Sequence, residues 1–151
     1  MSGKIIVRPA LNDDMNSLYM LMRQYIVDFY HQSEPNENDL RNLIQHLLDN
    51  PSSGLQFVAE ENEKIIGFAT LYFTFSTLKV KRQAILNDLF VVPQERGKKV
   101  GEKLFGTCLD YIRKNRFASM TWETAKDNLI AQTLYNKMGG KQSEWLGYEI
   151  S

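Results

Sequence analysis

The sequence predicts an α/β (α+β) fold in which helices cover both faces of a mixed sheet. Three observations predict it. Apolar, β-branched runs alternate along the chain with stretches whose apolar residues recur every three to four positions. One stretch, Ile85 to Ile112, passes directly from strand to glycine-bearing basic turn to helix. The resulting order, β-α-α-β-β-β-α-β-α-β, interleaves the two kinds of element in a chain of 151 residues, enough for one domain (1–151) with a hydrophobic core.

Each element has its own signal. Lys4 to Arg8 is a short strand stopped at Pro9. Asn12, Asp13 and Asp14 offer a helix N-cap. Leu18, Leu21, Met22, Tyr25 and Phe29 then form the apolar stripe of a first helix. A polar, acidic linker from His31 to Asp39 follows, and Leu40, Leu43, Ile44, Leu47 and Leu48 mark a second helix ended by Asp49-Asn50-Pro51. Gln56 to Glu60 and Ile65 to Phe75 are strands joined by a hairpin turn at 61–64. Ser76 to Arg82 is a basic loop. Ile85 to Val92 is the next strand, closed by Pro93, which cannot donate to a ladder. Val100, Leu104, Cys108 and Ile112 make the stripe of the helix that follows. Phe117 to Glu123 is a further strand, Asp127-Asn128 can cap a helix from Leu129 to Met138, and Gly139-Gly140 ends it. Trp145 to Ile150 carries enough aromatic and β-branched content for a last strand.

Composition narrows the function classes. Lys+Arg and Asp+Glu both number 18, so the chain lacks the basic excess of a nucleic-acid binder. The single cysteine, Cys108, cannot form an internal disulfide, which suits a reducing cytoplasm. It sits on an apolar stripe and reads as a packing residue. His31 and His46 lack metal-ligand spacing, so no metal is expected. No apolar run approaches a membrane span, and the polar start Met1-Ser2-Gly3-Lys4 is no signal peptide.

The strand-turn-helix stretch carries the chemistry. Backbone N–H groups at a helix start have no intrahelical partner, and the helix dipole adds positive potential there. Arg96, Lys98 and Lys99 bring side-chain charge to the same place. The combination suits an anion such as a phosphate or pyrophosphate. Neither the G-x-x-x-x-G-K-[ST] nor the G-x-G-x-x-G phosphate loop is present. Arg96-Gly97-Lys98-Lys99-Val100-Gly101, preceded by Val91-Val92-Pro93, instead resembles motif A of the GNAT superfamily of acetyl-CoA-dependent N-acetyltransferases, [QR]-x-x-G-x-[GA]. Lys99 departs from it, standing where the family usually has glycine. The order of elements also matches the family, so the resemblance covers nearly the whole chain. It implies the GNAT fold, a mostly antiparallel mixed sheet of six to seven strands with four helices.

The resemblance further implies acetyl-CoA as cofactor, leaving as CoA. Its phosphates would be held by Arg96, Gly97, Lys98, Lys99, Val100, Gly101 and Glu102, and its extended arm by the strand edge at Leu89, Phe90 and Val91. Tyr135, in T-L-Y-N-K-M-G-G, matches the tyrosine that acts as general acid to the departing sulfur. Asn128 matches an asparagine that binds the arm. The stretches L-Y-F-T-F-S and N-D-L-F-V-V-P look most like the diamine (spermidine/spermine) branch, where a glutamate serves the amine. That glutamate is Asn87 here, and an asparagine cannot be a base. Asp88 and Glu123, strand residues near the expected opening of the sheet, are the candidates to take its place. On the substrate side Tyr25 and Asp28, beside the acidic linker, suit a cationic amine, and Asn87 holds the position of the amine-serving glutamate. The expected activity is acetyl transfer to a primary amine of a small molecule such as a polyamine or amino acid, by direct attack. Two alternatives stay open: a protein lysine or N-terminal acetyltransferase, and a catalytically weak CoA-binding sensor. The family also admits a homodimer.

Overall fold

The computed structural model describes residues 3–151; Met1 and Ser2, read above as part of a polar start, lie outside them. Five strands form one sheet in chain order: β1 (Ile5–Pro9), β2 (Gly54–Glu61), β3 (Lys64–Ser76), β4 (Lys81–Val91) and β5 (Met120–Thr121). The first four are antiparallel neighbours, and β5 joins β4 in parallel. The β2–β3 connection is the two-residue turn Asn62-Glu63, both in the left-handed region at φ 52° and 66°, which matches the twist of the strands it joins.

Alternation along β3 assigns the helices to the two faces. Phe68 meets Tyr25 of the first helix at 5.7 Å between ring centroids. Phe73, on the other face, stacks on Tyr111 of α3 (Val100–Lys114) at 5.9 Å. Helices α1 (Met15–Gln24) and α2 (Glu37–Asp49) therefore cover one side and α3 the other. Leu18, Ile44, Ile66, Phe68, Leu71, Leu104 and Phe105 are fully buried between these layers. Each contributes roughly 1.5–3 kcal/mol by leaving water. At the N-terminal edge Arg8 forms two ion pairs, with Asp14 at 2.8 Å and with Glu60 at 3.0 Å. The Arg8 guanidinium holds the Asp14 carboxyl below the usual carboxylate range.

Two sequence expectations need correction. The sheet has five strands, not six to seven. Trp145 to Ile150 is not a strand: it forms no ladder, and Trp145, Leu146, Tyr148 and Ile150 are all exposed. Its residues have strand propensity, but propensity yields a strand only where a neighbour supplies hydrogen bonds. The neighbouring strand explains the shortfall. Phe117–Glu123 was expected to be a strand, yet only Met120–Thr121 pairs, because β5 has a partner on one side alone. Smaller differences follow the same logic of partners. Lys81 and Arg82, expected in a loop, belong to β4 because Phe75 and Ser76 pair with them. The linker shortens because Asn36 accepts from the Asp39 N–H at 3.0 Å and starts α2 at Glu37. Helix α4 (Leu129–Lys137) starts as expected, with Asn128 accepting from the Ala131 N–H at 3.2 Å, and Gly139 ends it at φ 91°.

Candidate active site

The site exists because β4 keeps β3 along its whole length but loses its other neighbour, β5, halfway along. Thr70 pairs with Asp88, but the next residue, Leu71, pairs with Leu86, so Asn87 is an extra residue bulged out of the ladder. Before the bulge, β4 pairs β5 through Ala84–Met120 and Ile85–Thr121; beyond it no pairing to β5 remains. The main-chain groups of Leu89, Phe90 and Val91 that face away from β3 therefore border open space. That space is a cleft of about 740 Å³, within the range of cofactor and ligand sites. Leu86, Asn87 and Leu89–Val91 form one wall, Trp122–Ala125 the opposite one, and Asn128, Ala131, Leu134 and Tyr135 of α4 close it.

At one end lies the basic turn. Pro93–Glu95 is a short 3-10 turn, Gly97 adopts φ 89°, and α3 begins at Val100 with no side chain capping it. The first intrahelical bond to a residue beyond that start is Lys103 N–H to Lys99 O at 3.1 Å. The N–H groups of Val100, Gly101 and Glu102 thus have no helical acceptor. Gly97, Lys99, Val100 and Gly101 all line the cleft. A Cβ at Gly97 would meet nothing within 4 Å, so the backbone angle, not space, calls for glycine there. Arg96 donates from Nε to the Val91 carbonyl at 3.1 Å, and its guanidinium sits 5.7 Å from the Phe29 ring and 5.8 Å from Phe90.

Lys99 settles at φ 63°, in the left-handed region, so its departure from glycine carries a backbone cost. We expect Lys99→Gly to raise stability by about 1 kcal/mol, read by denaturant unfolding. The same change removes one cation from the turn, so affinity for an anionic ligand should fall a few-fold, most at low salt. A variant that loses stability would show that the lysine side chain has an unseen partner.

Not every expected residue faces the cleft. Lys98 turns away, with Nζ 2.5 Å from Glu95 and 3.4 Å from Glu61 on β2. Glu102 accepts from Lys137 Nζ at 2.6 Å, which ties the start of α3 to α4. Asp28 is exposed on the far side of its turn and is not part of the lining. Asp88 is buried behind the bulge rather than in the cleft, while Asn87, Glu123 and Tyr25 line it. Asn87 Nδ2 donates to Asp88 Oδ1 at 3.1 Å.

Burial pushes the Asp88 carboxyl up, against the opposing pull of Thr70, Tyr25 and Asn87. Burial, with a smaller push from Asp88, raises Tyr72 to about 12. An acid with a raised pKa is more readily neutral in the fold than in the unfolded chain. Stability therefore falls as pH rises through the unfolded value of 3.8, and the loss is complete above the raised folded value. Asp88→Asn should raise Tm near neutral pH, and the gain should shrink as the pH drops toward 4. A gain independent of pH would mean that the carboxyl is not neutralised by the fold.

Tyr135 stands between Phe105 and Trp122, with ring centroids at 5.8 and 5.3 Å. Burial raises its pKa, and Tyr30 adds to the effect. The phenol thus stays protonated at neutral pH and remains a donor. Sequence reasoning missed Phe29 and Trp122 as parts of the site. It also missed that the first helix ends in a π-turn over Tyr25–Phe29, which aims Tyr25, Phe29 and Tyr30 at the cleft. Only the aromatic density of Y-I-V-D-F-Y hinted at it. Among the described residues no cluster of His, Cys, Asp or Glu could hold a metal ion.

Residues 15–140 match the model of the acetyltransferase (GNAT) family. An uncharacterized N-acetyltransferase of Bacillus subtilis strain 168, YhfO, is 38% identical over 136 residues, covering 88% of this chain and 87% of its own. Among solved structures, a probable acetyltransferase superposes with a TM-score of 0.85 at 26% identity, covering 98% of this chain and 97% of that one. An aminoglycoside N-acetyltransferase crystallised with CoA shares the fold at a TM-score of 0.80 and 16% identity, over 100% of this chain and 96% of its own.

Proposed function

The chain belongs to the GNAT family of acetyl-CoA-dependent N-acetyltransferases, and from that premise we propose that it acetylates a primary amine of a small molecule by direct attack within the β4–β5 cleft. The observation that carries this reading is the alignment of three features along one cleft: an open strand edge, an uncapped helix start and a protonated tyrosine. The residues present fit the cofactor. The N–H groups of Val100 and Gly101, with Arg96 and Lys99, would hold its phosphates, and the edge at Leu89–Val91 would pair with its amide-bearing arm. Asn128 would add little there, since its side-chain oxygen already caps α4.

When bound, acetyl-CoA supplies an activated acyl carbon and a thiolate leaving group. The task of Tyr135 is to hold a proton for that leaving sulfur, which a phenol with a raised pKa can do. The task of Asn87 is to accept a hydrogen bond from the incoming amine through its side-chain oxygen, because its nitrogen is committed to Asp88. An alkylamine with a pKa of about 10 must first shed a proton. Glu123, exposed on the cleft wall, is the carboxylate best placed to receive it through solvent. Tyr25, Tyr30 and Phe29 offer ring faces to the rest of a cationic substrate.

The test is thiol release from acetyl-CoA across a panel of polyamines, amino acids and lysine peptides. Turnover with small amines is expected. Turnover confined to peptides would replace this reading with protein acetylation, and CoA binding without turnover on any amine would reduce the chain to a sensor. Glu123→Gln should shift the pH profile of kcat/KM upward, since more of the amine must then arrive already neutral.

A further inference from the structure

The end of the molecule opposite the basic turn carries a feature that acetyl transfer does not use. The hairpin joining β3 to β4 projects Phe75, Leu78 and Val80, which are 78%, 86% and 86% exposed. Isolated exposed apolar residues are ordinary, but three within six positions at one tip are not scattered. Val80 also sits at φ 54°, a conformation that a β-branched residue rarely accepts. The tip thus keeps its shape against local preference.

Cations surround these side chains. Lys79, Lys81 and Arg82 lie on the hairpin itself. The end of α3 adds Arg113, Lys114 and Arg116, brought alongside because the Ala118 N–H donates to the Arg82 carbonyl at 2.8 Å and the Arg82 guanidinium lies 4.2 Å from the Phe117 ring. None of the six forms an ion pair with a described residue, whereas Arg8, Arg23, Arg41, Lys98 and Lys137 are all paired. No Asp or Glu occurs from Lys64 to Asn87 or from Tyr111 to Thr121. The nearest acids in sequence are Asp88, buried on β4, and Asp110 on α3. A chain with zero formal net charge has therefore gathered a third of its 18 cations at one end, unpaired, around an apolar tip.

We propose that this end is a docking surface for an anionic lipid bilayer. Complementary charge brings the surface to the headgroups, and Phe75, Leu78 and Val80 then enter the headgroup–acyl boundary. A nucleic-acid backbone would satisfy the cations but would leave the three apolar side chains in water. No described helix is long and apolar enough to cross a membrane, so the contact is peripheral. Eleven residues of β4 separate the tip from the basic turn, about 33 Å of strand. The basic-turn end of the cleft therefore stays away from the bilayer while the tip is engaged.

The test is co-sedimentation of the full chain with vesicles of phosphatidylcholine alone and of phosphatidylcholine mixed with phosphatidylglycerol. Binding to the mixed vesicles only is expected, weakening steeply with salt. Arg113→Glu and Lys114→Glu should each lower vesicle affinity by about five-fold or more, since each basic residue near such a surface contributes about a factor of five. Phe75→Ser with Leu78→Ser should weaken binding at every salt concentration. Both sets should leave circular dichroism and acetyl transfer unchanged. Equal sedimentation with neutral vesicles, no sedimentation with either, or binding indifferent to the charge reversals would overturn the proposal. So would tight binding of duplex DNA that survives the two serine substitutions, which would assign the surface to nucleic acid instead.

Discussion

Tyr135→Phe should lower kcat by roughly two to four orders of magnitude, the usual contribution of a positioned general acid, while CoA affinity changes by less than about two-fold. The split between the two parameters is the informative part. Phenylalanine keeps the ring that packs against Phe105 and Trp122, so the cleft wall and helix α4 keep their shape. Only the hydroxyl is lost. A hydroxyl that serves the leaving sulfur interacts chiefly as negative charge develops, and its removal then lowers kcat and kcat/KM together. A hydroxyl that merely helped to hold the cofactor would raise KM and leave kcat alone. The pH dependence gives a second readout. Burial holds the Tyr135 proton on well above neutral pH, so the wild type should retain activity into the alkaline range and lose it as the phenol ionises. The phenylalanine variant has no such group, and the alkaline limb should disappear from its residual activity.

Much of this site is legible in the amino-acid sequence itself. Strand, turn and helix at Ile85–Ile112 each announce themselves locally: β-branched residues, then Pro93 and Gly97, then apolar spacing of four. Tyr135 and Asn128 come from the resemblance of their stretch to the family's pattern; the local signals alone give only the cap and the helix that carry them. What escaped depends on partners distant in sequence. The bulge at Asn87 is a register shift between two strands, and neither strand encodes it alone. Lys98 is drawn away from the anion by Glu95, three positions earlier, and by Glu61, across 37 positions; only the second contact lies beyond local reading. Trp145–Ile150 shows the converse: local propensity for a strand was real, and a neighbour was missing. Lys99 lies between these cases. Its identity flagged a departure, but only the backbone angle of 63° gives that departure its cost.

Phe105→Ala should cost about 3–5 kcal/mol of stability, the range for removing a large buried aromatic. A change of that size consumes much of the 5–15 kcal/mol that holds a typical domain together. Phe105 is 1% exposed and joins the core to the site, with its ring 5.1 Å from Trp122 and 5.8 Å from Tyr135. The cavity would open beneath the Trp122 wall and helix α4 at once. Activity should then fall even at temperatures where the variant is fully folded, because Tyr135 loses the surface that fixes its ring. Phe105→Leu fills part of the space and should recover most of the stability. Its flexible side chain offers no flat face to Tyr135, so it should recover less of the kcat. Urea unfolding and steady-state kinetics on the two variants separate these contributions. If kcat tracks stability across both, the aromatic wall has no role beyond packing. If leucine restores the fold and leaves kcat low, α3 serves the reaction twice: its first turn faces the anion, and its second positions the acid.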